Sequence, residues 1–91
     1  MRQAARVDAN QAEIVAALRQ VGASVQPLHM VGRGCPDIVV GFRRANVFME
    51  IKSPCGKLTQ DEREWIRAWR GEVVIVRSPE DALRAIGAIG E

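Results

Sequence analysis

Residues 34–53 read GCPDIVVGFRRANVFMEIKS, two β-branched, apolar runs that nonetheless carry Asp37, Glu50 and Lys52. Two carboxylates and an amine are groups that hold a hard divalent cation and act on a phosphate, provided that the chain brings them together. A hairpin centred between Arg43 and Arg44, with either two or four residues in its loop, does so. Asp37 then falls opposite Glu50, and directly opposed residues share a face with Cβ atoms about 4.5–5.5 Å apart. The same register gathers Ile38, Val40, Phe42, Val47, Met49 and Ile51 on one wholly apolar face, and leaves Asp37, Val39, Phe48, Glu50 and Lys52 on the other. A slip of one residue would part the two carboxylates and break that segregation.

Carboxylates held so close repel, and on a partly buried strand at least one has a raised pKa unless a cation intervenes. Oxygen ligands suit Mg²⁺ or Mn²⁺, and Mg²⁺ commonly takes only one or two protein carboxylates, leaving positions for water and phosphate. Lys52 lies on the same face roughly 6.7 Å along the strand from Glu50 at the usual rise. Its stem is long enough to reach back to an attacking water or to the phosphate.

The elements that must position these groups follow from periodicity and punctuation. Asp8 with Gln11 three residues on is a variant capping box, Ile14, Ala17, Leu18 and Val21 recur at helical spacing, and Gly22 stops the helix. Residues 23–28 are expected as a strand, and Gly32 and Gly34 then punctuate a flexible loop, read as a mobile loop at the site. Strands over 37–42 and 47–52 follow. Thr59 and Glu62 form a T-x-x-E capping box for a second helix, expected to bury Trp65, Ile66 and Trp69 on one side and to end at Gly71. Val73 to Val76 is a short strand, and Ser78-Pro79 opens a last helix through Ile86. The order is αβββαβα, which predicts an α/β fold with a mixed central sheet flanked by helices.

Ninety-one residues suit one domain, 1–91, small enough that a partner subunit would help to bury surface. The composition, 47% hydrophobic and 26% charged, excludes intrinsic disorder, and a net charge of +2 permits a nucleic-acid partner without demanding one. Cys35 and Cys55 lack metal-ligand spacing and a disulfide framework is not expected, which suits a reducing cytoplasm. No apolar run approaches the roughly 18 residues of a membrane span, and the start MRQAARV lacks the apolar region of a secretory signal.

Pro36-Asp37, followed after twelve residues by Glu50-Ile51-Lys52, resembles the PD-(D/E)xK nuclease motif. Over nearly its whole length the chain is similar to stand-alone VRR-NUC domains, small virus-type replication and repair nucleases. Supporting matches are AEI with Glu13, the G-x-P-D loop of Gly34 to Asp37, KLTQ with Gln60, and VVIVRSPEDAL. Cys35 fills the variable position before the proline. The resemblance implies a restriction-endonuclease-like αβββαβ core and a bacterial or bacteriophage-encoded, metal-dependent, structure-selective DNA endonuclease. It implies a homodimeric resolvase of four-way (Holliday) junctions, with Asp37, Glu50 and the backbone carbonyl of Ile51 placing the ion and Lys52 holding or deprotonating the attacking water. RNA stays open as a substrate, and so does a catalytically inactive DNA-binding or assembly module on the same fold.

The remaining candidates each carry two readings. Glu13 either faces the site from the first helix, as the family's glutamate does, or is a solvent-facing charge, and the helix's rotation decides. Gln60 either orients Lys52 or touches phosphate, or is a polar residue at a helix start. Arg33, Arg43, Arg44 and Lys57 are expected in loops bracketing the site, as phosphate contacts. Arg63, Arg67 and Arg70 share a helix side with interleaved acids, as a phosphate-contacting set or a solvated face. Trp65 and Trp69 are expected in the core rather than as stacking platforms, and the lone His29 as structural.

Overall fold

The computed structural model describes residues 9–90. The order of elements is the expected αβββαβα: α1 (Gln11–Gln20), β1 (Ser24–Pro27), β2 (Ile38–Phe42), β3 (Ala45–Ile51), α2 (Gln60–Ala68), β4 (Val73–Val76) and α3 (Pro79–Ala85). The strands form one open mixed sheet in the order β1-β2-β3-β4, antiparallel from β1 to β3 and parallel between β3 and β4. The parallel step is the one that a helix, α2, bridges, as a crossover requires.

The hairpin takes the convergent register. Phe42 pairs with Ala45 across a two-residue turn, and Ile38 pairs with Met49 at the other end. Ile38, Val40, Val47, Met49 and Ile51 are all buried, and Ile14 and Leu18 of α1, Val76 of β4 and Ala82 of α3 close over them. The alternation of the strands thus decides which face receives α1 and α3, because only one face of β2 and β3 is apolar throughout.

On the opposite face Phe48 meets α2 edge-on, with ring centroids 5.3 Å from Trp65 and 5.0 Å from Trp69, and the two indoles stack at 4.8 Å. This corrects the expected core role: no residue of α2 is buried, Trp65 and Ile66 are half-buried, and Trp69 is 44% exposed. The reason is the mixed face itself, which offers α2 chiefly Phe48 before it turns to charge.

Helix boundaries follow local chemistry. Thr59 caps α2 through a reciprocal box with Glu62, and the Ser78 hydroxyl accepts from Asp81 N–H ahead of Pro79 in α3. Asn10 occupies the N-cap position of α1 and its side chain makes no cap hydrogen bond; the cap expected at Asp8 lies outside the described residues. Both cysteines are free. Among the described residues no helix is long and apolar enough to cross a membrane.

Candidate active site

Asp37 lies one residue before β2, where the ladder changes character. Its N–H donates to Met49 O at 3.1 Å, and its carboxylate Oδ2 accepts from Ile51 N–H at 2.7 Å. A side-chain oxygen thus takes the place of a backbone acceptor for Ile51 N–H, just beyond the last paired residues of the hairpin. Because a strand residue presents N–H and C=O to the same side, the Ile51 carbonyl also turns toward Asp37.

Glu50 is sealed, at 2% exposure. Burial, then the charge of Asp37, then the charge and hydrogen bond of Glu62 push its carboxyl up to about 9, against a smaller pull from Lys52. The two carboxylates expected to converge do act on one another. Glu50 Oε1 has no hydrogen-bond donor, while Oε2 lies 3.4 Å from Lys52 Nζ.

Lys52 Nζ also meets Glu62 Oε1 at 2.8 Å. Burial pulls the ammonium down, but the hydrogen bond to Glu62 and the charges of Glu50 and Glu62 outweigh it and hold it above its ordinary value. Burial likewise raises Glu62, and its bonds to Lys52 and to Thr59 N–H outweigh that and hold it below the usual carboxylate range. The centre is therefore one ammonium between the carboxylates of Glu50 and Glu62, with the charge of Asp37 acting on Glu50 from the other side of the hairpin.

Glu62 is the member that sequence reasoning missed. Its signal was present in the T-x-x-E capping box: the N3 glutamate turns back to its N-cap, so its Oε1 accepts Thr59 N–H at 2.8 Å and stands where Lys52 can reach it. Gln60 does not fill that place. It is exposed, and its amide donates to Glu64 Oε2 at 2.8 Å, one turn along the helix.

Two further residues fix the exit of β3. Lys52 N–H donates to Val76 O at 3.0 Å, and Asn10 Nδ2 donates to both Lys52 O and Arg77 O at 3.3 Å. The Arg77 guanidinium donates to Ser53 O at 2.7 Å and to Gly56 O at 2.8 Å, gathering the loop that follows Lys52. Gly34 fixes the loop on the other side. At φ +83° its absent Cβ would lie 2.3 Å from Asp61 O and 3.0 Å from Glu62 N, so the loop before Asp37 rests directly on the first turn of α2. The glycine expected to give the loop mobility serves a close approach.

Glu13 is exposed on α1 and lines a cleft with Ser53, Pro54 and Arg77, beyond the end of β3. It is not among the groups that act on Glu50. Arg33 and Lys57 are exposed in the loops on either side of the carboxylates. Arg43 and Arg44 do not bracket the site: they form the far turn of the hairpin, six and seven residues from Asp37 and roughly 20 Å away at the usual rise of a strand. The residues are on the expected hairpin, but antiparallel pairing puts its turn and its open end at opposite ends of the strands.

Comparison with protein-family models, curated proteins and solved structures finds no match.

The donor set bears on a cation by its own chemistry. Among the described residues no group of three or more His, Cys, Asp and Glu side chains forms a ready cage. Asp37, Glu50 and the Ile51 carbonyl are the smaller, oxygen-only set that suits Mg²⁺ or Mn²⁺, and the donorless Glu50 Oε1 supplies unused acceptor capacity inside it. Cys35 adds a half-buried thiol beside them, raised by burial and by the charges of Glu50 and Asp37.

Proposed function

We propose that the chain is a metal-dependent endonuclease acting on DNA, a member of the PD-(D/E)xK superfamily of the VRR-NUC type, with the restriction-endonuclease-like core that the element order supports. The observation that carries this reading is the convergence of Asp37 and a sealed, donor-poor Glu50 across adjoining strands, with Lys52 Nζ 3.4 Å from Glu50. Carboxylates are not buried together without a compensating cation unless one stays protonated. Lys52 offsets part of that charge but is shared with Glu62.

Asp37, Glu50 and Ile51 O would hold Mg²⁺ or Mn²⁺, which when bound supplies charge against the phosphoryl and leaving oxygens. Lys52, ion-paired on both sides, would orient the attacking water and stabilise phosphate charge as a cation rather than remove a proton. Glu62 would hold Lys52 in place, and Asn10 and Arg77 the strand end that carries it. Arg33 and Lys57 would meet the phosphates nearest the cut. A branched, four-way substrate and a homodimer with two cutting sites complete the reading, and rest on the family resemblance.

One feature favours a second reading. The ammonium already bridges Glu50 and Glu62, so the same groups could form a closed ion-pair network in a non-catalytic DNA-binding or assembly module. Purified protein incubated with labelled duplex, fork and four-way junction DNA in Mg²⁺, Mn²⁺ or EDTA separates the two. Cleavage that needs the metal and is lost in Lys52→Ala is expected; binding with no metal-dependent cleavage would assign the module.

A further inference from the structure

The β2–β3 turn has only two central residues, Arg43 and Arg44, and both are left-handed, at φ 52° and 70°. This is the geometry that Asn-Gly fills without strain and that a long L side chain resists. The third non-glycine residue at positive φ among the described residues is also an arginine, Arg33. Strain retained at an exposed turn calls for a role for the side chains that cause it.

Their surroundings indicate the role. The turn borders an open cleft of about 360 Å³ whose polar lining, besides the two arginines, is Ser24 and Asn46, with no carboxylate. Arg43 lies over the Phe42 ring at 4.8 Å, which restrains its guanidinium. Arg19 donates to Val25 O, one residue from Ser24, and brings a third guanidinium to the same end of the sheet. Guanidinium forks, a hydroxyl and an amide without a competing acid form a donor set for phosphate oxygens.

We propose that the β2–β3 turn is a second phosphate-binding site, which grips a nucleic-acid backbone at a distance from the carboxylate centre. It extends the nuclease reading, and rests on it for the identity of the polyanion. The separation of roughly 20 Å along β2 corresponds to about six nucleotide steps at 3.4 Å. A duplex arm of about seven base pairs is then the shortest that engages both places.

The test uses the full chain in EDTA, so that binding is read without cutting. Labelled 20-base-pair duplex is titrated by fluorescence anisotropy between 50 and 200 mM salt, with thermal unfolding alongside, for wild type, Arg43→Asn/Arg44→Gly and Arg43→Lys/Arg44→Lys. In the Asn-Gly variant the melting temperature rises by roughly 5 °C as strain is relieved. Its affinity falls about tenfold, and the slope of log affinity against log salt shrinks by about 1.8, two contacts at about 0.9 each. The lysine pair keeps the slope, which separates charge from turn geometry.

Unchanged affinity and slope in the Asn-Gly variant, or a lower melting temperature, would overturn the proposal. So would a turn that binds inorganic phosphate by NMR shift while duplex affinity is indifferent to the arginines, since that assigns a free anion. A wild type that binds with the full salt slope yet never cuts with Mn²⁺ removes the nuclease reading and leaves the second site standing.

Discussion

Replacing Glu50 by Gln in metal-free protein should remove most of the pH dependence of folding between about pH 5.5 and 8.0. The Glu50 carboxyl is pushed up to about 9 in the folded chain, from an ordinary 4.5. Between those values the folded state keeps a proton that the unfolded state has lost, so stability is full below about pH 4.5 and declines as pH rises toward 9. From pH 5.5 to 8.0 the decline is at most about 3 kcal/mol. Against a total of roughly 5–14 kcal/mol for a chain of this size, that is a large share. Three of the neighbours are shifted away from this window: Glu62 below 4.5, Lys52 above 10.5 and the Cys35 thiol above 9.0. Urea denaturation in EDTA at pH 5.5, 6.5 and 8.0 measures the effect. Wild type should lose stability across the series. Glu50→Gln, whose amide finds acceptors in Asp37 and Glu62, should be nearly level and the more stable of the two at pH 8.0. Saturating Mn²⁺ should restore wild type at pH 8.0 and do little at 5.5, where the proton competes. Parallel pH profiles for the two proteins would refute the assignment of a protonated, buried Glu50.

Gly34→Ala should destabilise by roughly 3 kcal/mol or more, since the new Cβ meets the Asp61 and Glu62 backbone at a positive φ; a shift in urea midpoint of under about 1 kcal/mol would mean the loop is not seated on α2. Lys52→Ala should abolish metal-dependent cleavage while leaving EDTA-phase DNA binding near wild type, read by anisotropy and gel assay together. Glu62→Gln keeps a capping-box acceptor for Thr59 N–H but removes the charge 2.8 Å from Lys52, and should cost about 1 kcal/mol of stability; cleavage should fall through a lower kcat at unchanged KM. Arg77→Met, which loses the bonds to Ser53 O and Gly56 O, should speed hydrogen exchange in residues 53–56 and leave α1 protected.

The hairpin was legible because two independent requirements agree on one register: an apolar face without a single charge, and a pair of carboxylates that share the other. Alternation with a period of two leaves no partial solution, so Ile38 against Met49 follows from composition alone. The caps at Thr59 and Ser78 were legible for a similar reason, since a side chain that bonds its own backbone three residues away needs no tertiary information.

Where the distant ends of the chain meet was not legible. Glu62 is a cap by sequence and becomes a partner of Lys52 only because α2 lies across the mixed face of the sheet. Trp69 stands at helical spacing with Trp65 yet stays exposed, because periodicity tells which side of a helix is apolar and not how much surface the neighbour offers. Arg43 and Arg44 are near Asp37 along the chain, but an extended strand carries them to the opposite end of the hairpin. Local bonding and side-chain alternation, both set by covalent geometry, determined the elements, the register from Ile38 to Phe42 and the nearness of Asp37 to Glu50. Packing of α2 through Phe48 and the close seat of Gly34 decided how the charges are compensated, because those contacts join residues whose separation along the chain carries no signal of their meeting.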